Sequence, residues 1–224
     1  MDNSVFRTLR PLGAGLRALL ALTLLTGVLY PLAVTGAAQA LLPGRANGSE
    51  VRADGRTAGS ALIGQSYDLP SGGTGEEARP DPRWFQGRPR EGLGTNSLNT
   101  RYDLLVSGAS NLAADNPVLV RRVRAARAAV VRDNSVPGHP VDPAAVPADA
   151  VTSSGSGLDP HISPAYAALQ APRVALRNDL PLARVRELVG RHTEGRTLGF
   201  IGEPRVNVLA LNIALRGLVA EADR

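Results

Sequence analysis

The longest apolar stretch of the chain runs from Ala18 to Gly44 and contains no charged side chain. At about 1.5 Å per residue, a helix of this length would reach roughly 40 Å, more than the roughly 30 Å hydrocarbon core of a bilayer. The pattern therefore predicts a membrane-spanning helix over residues 18–44. Pro31 lies inside this segment, where a bilayer tolerates proline, and we expect a kink there.

The charges that flank the apolar stretch predict its orientation. Arg7, Arg10 and Arg17 precede it against one acid, Asp2, whereas the far side begins with Arg45 alone and then becomes acidic. Positive side chains concentrate on the cytoplasmic side of a membrane span. The predicted layout is a cytoplasmic segment (1–17), a transmembrane helix (18–44), a polar stalk (45–58) and one extracytoplasmic domain (59–224).

A cleaved secretory signal is the main alternative for the N-terminal segment, and a buried core helix is a further one. Signals also combine a basic start, an apolar middle and a small-residue exit, and Ala38-Gln39-Ala40 fits a cleavage site. The apolar run is longer than a usual signal core, and Leu41 and Leu42 continue it beyond the cut, which favours a retained anchor. The retained anchor and the cleaved signal both export the rest of the chain. Cleavage after Ala40, however, would release it as a free binding module.

Shorter patterns beyond residue 58 predict both helices and strands, so the fold class is α+β with one mixed domain after the anchor. Asn116 followed by Pro117 indicates the start of a helix over 117–133, with its arginines on a solvated face. Ser163 and Pro164 indicate the cap and first residue of a short helix over 165–170, which Pro172 should break or restart. The other predicted elements are a strand over 60–67, loops over 69–82 and 92–116, an irregular connection over 136–148, a helix from Pro181, a strand over 198–201 and a final helix capped by Asn207.

Composition excludes several kinds of site. The chain has no cysteine and therefore no disulfide, thiolate metal site or cysteine nucleophile. Its 25 basic residues are all arginine, so a lysine-containing phosphate loop is also excluded. Three arginines and one acid precede residue 45, which leaves 22 and 19 beyond it, and this balance with few aromatics does not predict nucleic-acid binding. His139, His161 and His192 share no metal-ligand spacing.

The densest polar cluster lies between Ser153 and Ser163 and contains hydroxyls, a carboxylate and an imidazole. Ser156, Asp159 and His161 make a membrane-anchored hydrolase the competing functional class. A nucleophile elbow requires G-x-S-x-G, and Ser154 stands where Ser156 would need the first glycine. Glycines that permit turns, and Asp or Ser side chains that accept from backbone N–H groups before proline, favour a structural turn instead.

At this cluster the chain resembles the C subunit of the Kdp potassium-transporting ATPase, the KdpC family. The resemblance covers nearly the whole chain and rests on several blocks in the family order. These blocks are Leu29-Tyr30-Pro31 in the span, GSALIGQ at 59–65, WFQGRP at 84–89, SGASNL at 107–112, Asn116-Pro117, TSSGSGLDPHISPAYA at 152–167 and GEPRVNVLALNIAL at 202–215. The chain departs from the family pattern in its glycine- and acid-rich 69–82 segment, in Trp84 for a common tyrosine and in Ala109 for a usual glycine.

The resemblance implies a subunit of an ATP-driven, high-affinity potassium importer in a prokaryotic plasma membrane. Its partners would be the channel-like A subunit, the P-type ATPase B subunit and the small F subunit. The C subunit of the family carries neither the phosphorylated aspartate nor the potassium filter, and we expect no catalytic residue, metal site or resident cofactor here. The family is also described as a catalytic chaperone that raises the affinity of the pump for ATP, with a nucleotide contact at a glutamine that matches Gln170.

The predicted orientation conflicts with a nucleotide contact at Gln170, because ATP is cytoplasmic and this residue would lie outside. Gln170 also fits a residue on the surface of its helix, and that interpretation is favoured. A second mechanism would place the outer domain over the potassium entrance, where acids such as Asp159 and Glu203 raise the local cation concentration.

Overall fold

The computed structural model describes residues 3–69, 79–89 and 107–222, with side chains from Arg10 onward. Two predicted loops, 69–82 and 92–116, lie partly outside the described residues. The chain divides into two compact units, Met1–Glu50 and Val51–Arg224. We describe each unit by itself.

The first unit is a long helix followed by one short turn of helix. It comprises α1 (Asn3–Leu24), a π-helical turn (Leu25–Leu29), α2 (Tyr30–Leu41) and α3 (Pro43–Ala46). The 32 residues from Arg10 to Leu41 are long and apolar enough to cross a membrane. The predicted helix thus exists, but it ends at Leu41 rather than at Gly44.

The π-helical turn ends two residues before Pro31, with Tyr30 between them. Tyr30 N donates to Leu25 O, five residues earlier, instead of the carbonyl four residues earlier. Proline has no N–H to donate, and its ring conflicts with the carbonyl four residues before it, which here belongs to Gly27. A wider turn removes that conflict. The distortion that accommodates Pro31 therefore lies at Leu25–Leu29, about one turn before the position where the sequence predicts a kink.

A two-stranded sheet of β1 (Glu50–Ala53) and β2 (Arg56–Ser60) begins at Glu50, the last residue of the first unit, and otherwise belongs to the second. Asp54 and Gly55 join the strands with φ values of 51° and 74°, the left-handed pair that tight hairpins require. These strands begin within the segment predicted as a stalk (45–58), and β2 continues beyond it to Ser60. The strand predicted over 60–67 is wrong, because residues 61–67 form turns and irregular backbone.

The rest of the second unit packs helices against a small antiparallel sheet. Its elements are α4 (Pro117–Asn134), β3 (His161–Ile162), α5 (Pro164–Arg177), α6 (Leu182–Arg191), β4 (Thr193–Glu194), β5 (Arg205–Asn207) and α7 (Val208–Ala222). The strand order is β3-β5-β4, with His161 opposite Asn207 and Thr193 opposite Val206. This arrangement confirms the mixed α/β class.

The core lies where α5, α6 and α7 meet the sheet. Val174 of α5, Val185 of α6, Val206 of β5 and Leu211 of α7 are completely buried. Phe85 joins them from a segment without regular secondary structure and is also completely buried. A residue outside every helix and strand is therefore part of the centre of the domain.

Three predicted helix starts are confirmed by the side chains that cap them. Asn116 Oδ1 accepts from Val118 N at 2.8 Å, and Ser163 Oγ accepts from Tyr166 N at 3.0 Å. Asn207 Oδ1 accepts from Ala210 N at 3.1 Å at the start of α7. The helix predicted from Pro181 is confirmed as α6. The connection over 136–148 is irregular, as predicted: it contains a turn bridged between Val136 and His139 and a 3-10 turn at Pro143–Ala145, and a second 3-10 turn, Ala148–Ala150, begins at its last residue.

Two other predictions are wrong. The helix that begins at Pro164 does not end before Pro172 but continues to Arg177, because the residues after the proline pack into the core and hold the helix together. The strand predicted over 198–201 is a tight turn, and the strand that the sheet needs is β5, a few residues later.

Candidate functional site

Several of the sequence blocks that carry the family resemblance meet at Trp84, Phe85 and Gln86, which we call the clamped segment. This segment has no regular secondary structure, and its backbone groups are paired instead with side chains from α5 and α7. A buried backbone N–H or C=O without a partner costs free energy comparable to a lost hydrogen bond. The side chains that supply these partners therefore define the site.

Two side-chain amides each hold one residue of the clamped segment at both of its backbone groups. Asn212 of α7 accepts from Phe85 N at 3.0 Å and donates to Phe85 O at 2.9 Å. Gln170 of α5 accepts from Gln86 N at 2.7 Å and donates to Gln86 O at 3.0 Å. Each amide thus makes the paired bonds that a residue of a neighbouring antiparallel strand would make.

Arg173, one turn after Gln170 on α5, closes the same network. Its guanidinium donates to Gln170 Oε1 at 2.9 Å, to Trp84 O at 3.0 Å and to Pro82 O, and its Nε donates to Asn134 Oδ1 at 2.8 Å. The side chain is buried, and burial lowers its pKa to about 10. Arg173 stays charged at neutral pH and is stabilised by carbonyl and amide dipoles.

Two further side chains tie the segment to its surroundings. Gln86 Nε2 donates to Tyr67 O at 2.8 Å and to Asp81 O at 3.1 Å. Arg88 donates to Thr152 O at 3.3 Å and to Ser153 O at 3.2 Å. Gln86 thus ties the clamped segment to Tyr67 and Asp81, and Arg88, two residues beyond the segment, connects the chain to the serine-rich turn over 153–163.

Asp159 organises the serine-rich turn. Its Oδ1 accepts from His161 N at 2.9 Å and lies 3.2 Å from His161 Nδ1, while its Oδ2 lies 3.5 Å from the Arg88 guanidinium. The hydrogen bond from His161 and the charge of Arg88 hold the pKa of the Asp159 carboxyl below its usual value. At the end of the turn, Ser163 is bonded to the carboxylate of Asp149 through its N–H at 2.7 Å and its hydroxyl at 2.9 Å.

The geometry of this turn does not form a serine hydrolase triad. Ser156 Oγ lies 3.2 Å from Ser154 Oγ and accepts from Leu158 N at 3.1 Å, so both hydroxyls serve the turn. His161 is oriented by Asp159, but among the described residues no serine hydroxyl is hydrogen-bonded to its ring. A triad needs the nucleophile within hydrogen-bond reach of the base.

The 59–65 block packs directly against the same turn. Gly64 N donates to Leu158 O at 2.8 Å, and a Cβ added at Gly64 would lie 2.7 Å from Asp159 O. Asn207 Nδ2 donates to Ala61 O at 2.9 Å and links this block to the start of α7. Glycine is therefore required at position 64 by a close backbone approach.

The fit of a nucleotide to Gln170 is poor in this structure. Gln170 is completely buried, and both ends of its amide are engaged by Gln86 and Arg173. The prediction that Gln170 is a surface residue of its helix is therefore wrong. The residues around it form a packed network rather than a cradle for phosphates, and among the described residues no group of three or more acids and histidines could hold a metal ion.

The two acids expected to raise the local potassium concentration are both ion-paired. Asp159 lies between Arg88 and His161, and the exposed carboxylate of Glu203 is 2.8 Å from Arg196. A neighbouring positive charge compensates each carboxylate and weakens its attraction for cations. The contacts of these residues do not favour the entrance mechanism.

Sequence reasoning missed the residues that hold the clamped segment. Asn212, Arg173 and Asn134 carry no motif of catalysis or metal binding, and each lies in a helix where a polar residue fits an exposed face equally well. The available signal is helical spacing at Asn212: Val208, Leu209 and Leu215, three or four residues away in α7, are apolar and buried. A polar residue within a helical run of core positions is the pattern that marks such partners.

Comparison with known proteins gives a consistent result. The family description "K+-transporting ATPase, c chain" (KdpC) matches residues 12–217. A potassium-transporting ATPase KdpC subunit from Streptomyces coelicolor is 66% identical over 98% of both chains, and one from Streptomyces avermitilis is 63% identical over 98% of this chain and 99% of the relative. The corresponding subunit of Gemmatimonas aurantiaca is 48% identical over 89% of each chain.

Proposed function

The chain belongs to the KdpC family of K+-transporting ATPase c chains, and we propose that it is a non-catalytic subunit that raises the affinity of the ATPase for ATP. One observation carries the non-catalytic part of the proposal. The side chains that the fold brings together, Gln170, Arg173 and Asn212, bind backbone groups of the clamped segment, and among the described residues around it no nucleophile is paired with a base. These side chains hold the backbone of the clamped segment in one conformation, and we propose that partner subunits recognise the surface that it supports.

The proposal includes the partners and the placement in the membrane. The partners are the channel-like A subunit, the P-type B subunit and the small F subunit, through which potassium and ATP reach the complex. The N-terminal helix anchors the chain in the plasma membrane with residues 1–17 in the cytoplasm and residues 59–224 outside. The charge distribution around the apolar helix, whose candidate span is Arg10–Leu41, supports this orientation.

A nucleotide can contact Gln170 only under one condition. The amide reaches a ligand only if the backbone of Gln86 and the guanidinium of Arg173 first release it. The simpler form of the proposal is that Gln170 holds the clamped segment in the shape that supports ATP binding by the partner subunit. An effect of Gln170 on ATP affinity would then be indirect.

Affinity purification through this chain tests the subunit assignment. Cells starved of potassium are lysed, and the full chain is isolated in mild detergent. We expect a large P-type ATPase and a polytopic partner to copurify, with an ATPase KM for ATP that rises when the C subunit is omitted from reconstitution. An ATPase with the same KM in its absence contradicts the affinity role, and recovery of the chain alone contradicts the assembly role.

Two alanine variants separate the direct and indirect forms at Gln170. Gln170→Ala and Asn212→Ala each remove one two-bond clamp from neighbouring residues of the same segment. An indirect role predicts that both raise the KM for ATP of the intact complex in proportion to their loss of stability. A direct contact predicts a rise for Gln170→Ala alone at matched stability.

The hydrolase alternative is tested by Ser156→Ala and His161→Ala. The proposed structural turn predicts lower thermal stability or lower recovery of the complex, with no hydrolytic turnover to lose. A defined loss of hydrolysis of envelope material, with stability and assembly intact, would instead establish the enzyme. Accessibility of residues 59–224 to protease in intact spheroplasts tests the proposed orientation.

A further inference from the structure

A tight turn over residues 197–201, which we call the apolar turn, presents large apolar side chains to solvent. Leu198, Phe200 and Ile201 are 79%, 72% and 52% exposed. Elsewhere in the described part of the second unit, the exposed large apolar residues are Leu62, Val118 and Leu176, which are separated along the chain. Single exposed apolar residues are ordinary on protein surfaces, but three within four residues mark a contact surface.

The backbone of the apolar turn is closed by its own hydrogen bonds. Thr197 N donates to Ile201 O at 2.9 Å, and Ile201 N donates to Thr197 O at 3.0 Å. Leu198 has a φ of 54°, in the left-handed region that is uncommon for a non-glycine residue. Asparagine or glycine would adopt this conformation at lower cost, so the apolar side chain of Leu198 is present despite the strain.

The charges around the apolar turn are compensated in pairs. Arg196 and Glu203 close its base with a two-bond ion pair at 2.8 and 3.1 Å. Arg205 is paired with Glu194 at 3.0 Å on the adjoining strands. Free basic residues strengthen binding to anionic lipid headgroups. Beside this turn both arginines are paired, and Glu203 has 80% of its side chain exposed.

This combination favours a protein partner over lipid. A closed turn that holds a phenylalanine and a leucine outward, with a charge-neutral base, has the character of an interface anchor that fills an apolar pocket inside a polar rim. The chain belongs to a family of subunits of a membrane ATPase complex, so other subunits are its natural partners. We propose, on the basis of the subunit function proposed above, that the apolar turn docks into an uncharged apolar pocket on another subunit of the K+-transporting ATPase complex.

The first test compares variants of the turn in the assembled complex. Leu198→Asn retains a residue that tolerates a positive φ, and Phe200→Ser removes the aromatic side chain from an exposed position. We expect each to lower recovery of the ATPase subunits through the full chain by about tenfold under stringent washing, the size of effect seen for interface anchors. Thermal unfolding of the full chain in detergent should be unchanged for Phe200→Ser and unchanged or higher for Leu198→Asn.

Leu176→Ser is the matched control. Leu176 is 51% exposed on α5 and carries the same kind of side chain outside the turn. We expect normal recovery of the ATPase subunits with this variant. Equal losses for the control and the turn variants, or no loss for either, would overturn the proposal.

The second test distinguishes a protein pocket from the bilayer. Phe200→Trp places a fluorophore at the turn, and the native Trp84 in the clamped segment provides the baseline signal from the unmodified chain. With the complex in nanodiscs, we expect the added tryptophan to emit at shorter wavelength than in the isolated chain and to resist quenching by brominated phospholipids. Strong quenching by those lipids would place the turn in the membrane interface and overturn the proposal.

Discussion

Phe85 and Phe200 lie in the same domain but have opposite environments. Both lie outside helices and strands, yet Phe85 is completely buried and Phe200 is 72% exposed. The backbone of Phe85 is paired with Asn212, whereas the turn that carries Phe200 closes its own hydrogen bonds at Thr197 and Ile201. A loop can enter a core only when another element satisfies its backbone groups.

The two regions therefore contribute to different properties. The clamped segment contributes to the stability of the folded chain, because removing any partner leaves a buried polar group without a bond. The apolar turn contributes little to stability, since its side chains are already in solvent. Mutations can test this separation directly.

The largest expected difference is between Phe85→Ala and Phe200→Ala. Loss of a fully buried phenylalanine should lower the free energy of unfolding by about 3–5 kcal/mol, through lost burial and the cavity that remains. The exposed phenylalanine should change it by less than about 0.5 kcal/mol. Urea unfolding of the full chain in mild detergent measures both, and similar values for the two variants would contradict the comparison.

The next effect concerns the amide that holds Phe85. Asn212→Ala leaves both backbone groups of Phe85 unpaired in the core and should cost about 2–3 kcal/mol. Asn178→Ala is the control, because Asn178 is only half-buried and its Nδ2 donates to Arg83 O and to Val174 O, each at 2.8 Å, so its loss should cost about 1 kcal/mol or less. The same unfolding measurement applies, and equal losses would show that burial of the clamp is unimportant.

A smaller effect is expected where the serine-rich turn meets the 59–65 block. Gly64→Ala places a methyl group 2.7 Å from Asp159 O and forces the two backbones apart, at a cost of about 1–3 kcal/mol. Gly155→Ala, in the same turn, has nothing within 4 Å of the added Cβ and should be neutral. Thermal unfolding of both variants gives the comparison, and a neutral Gly64→Ala would contradict the close approach seen here.

The smallest effect is the pH dependence contributed by Asp159. Its hydrogen bond from His161 lowers the pKa in the folded state, so the stabilisation is fully present above the ordinary pKa of about 4 and is lost as the pH falls through the lowered value. Between pH 7 and pH 3, the free energy of unfolding should fall less for Asp159→Asn than for the unmodified chain. The same slope in both would exclude this contribution.

The elements with local signals could be predicted from the sequence. The caps at Asn116, Ser163 and Asn207 act on N–H groups two or three residues away, so their chemistry is visible in a short window. The long apolar helix is likewise a property of one continuous segment. These predictions depend on no distant contact.

The clamp could not be predicted, because its partners are distant in sequence. Phe85 and Asn212 are 127 residues apart, and Gln86 and Gln170 are 84 apart. The prediction that Pro172 interrupts α5 fails for the same reason, because tertiary packing outweighs a local helix breaker. The sequence favours a surface position for Gln170, and only the fold reveals the backbone that it binds.

The π-helical turn at Leu25–Leu29 has a consequence for the angular phase of the N-terminal helix. An α-helix advances about 100° per residue, so one extra residue accommodated within a single turn rotates every preceding side chain by about that angle relative to those that follow. A stripe traced at uninterrupted 3.6-residue intervals along this helix would therefore join side chains that point in different directions. Removing one residue between Leu25 and Leu29 would restore regular α-helical spacing between α1 and α2. The side chains of α1 would then rotate by about 100° about the helix axis relative to those of α2.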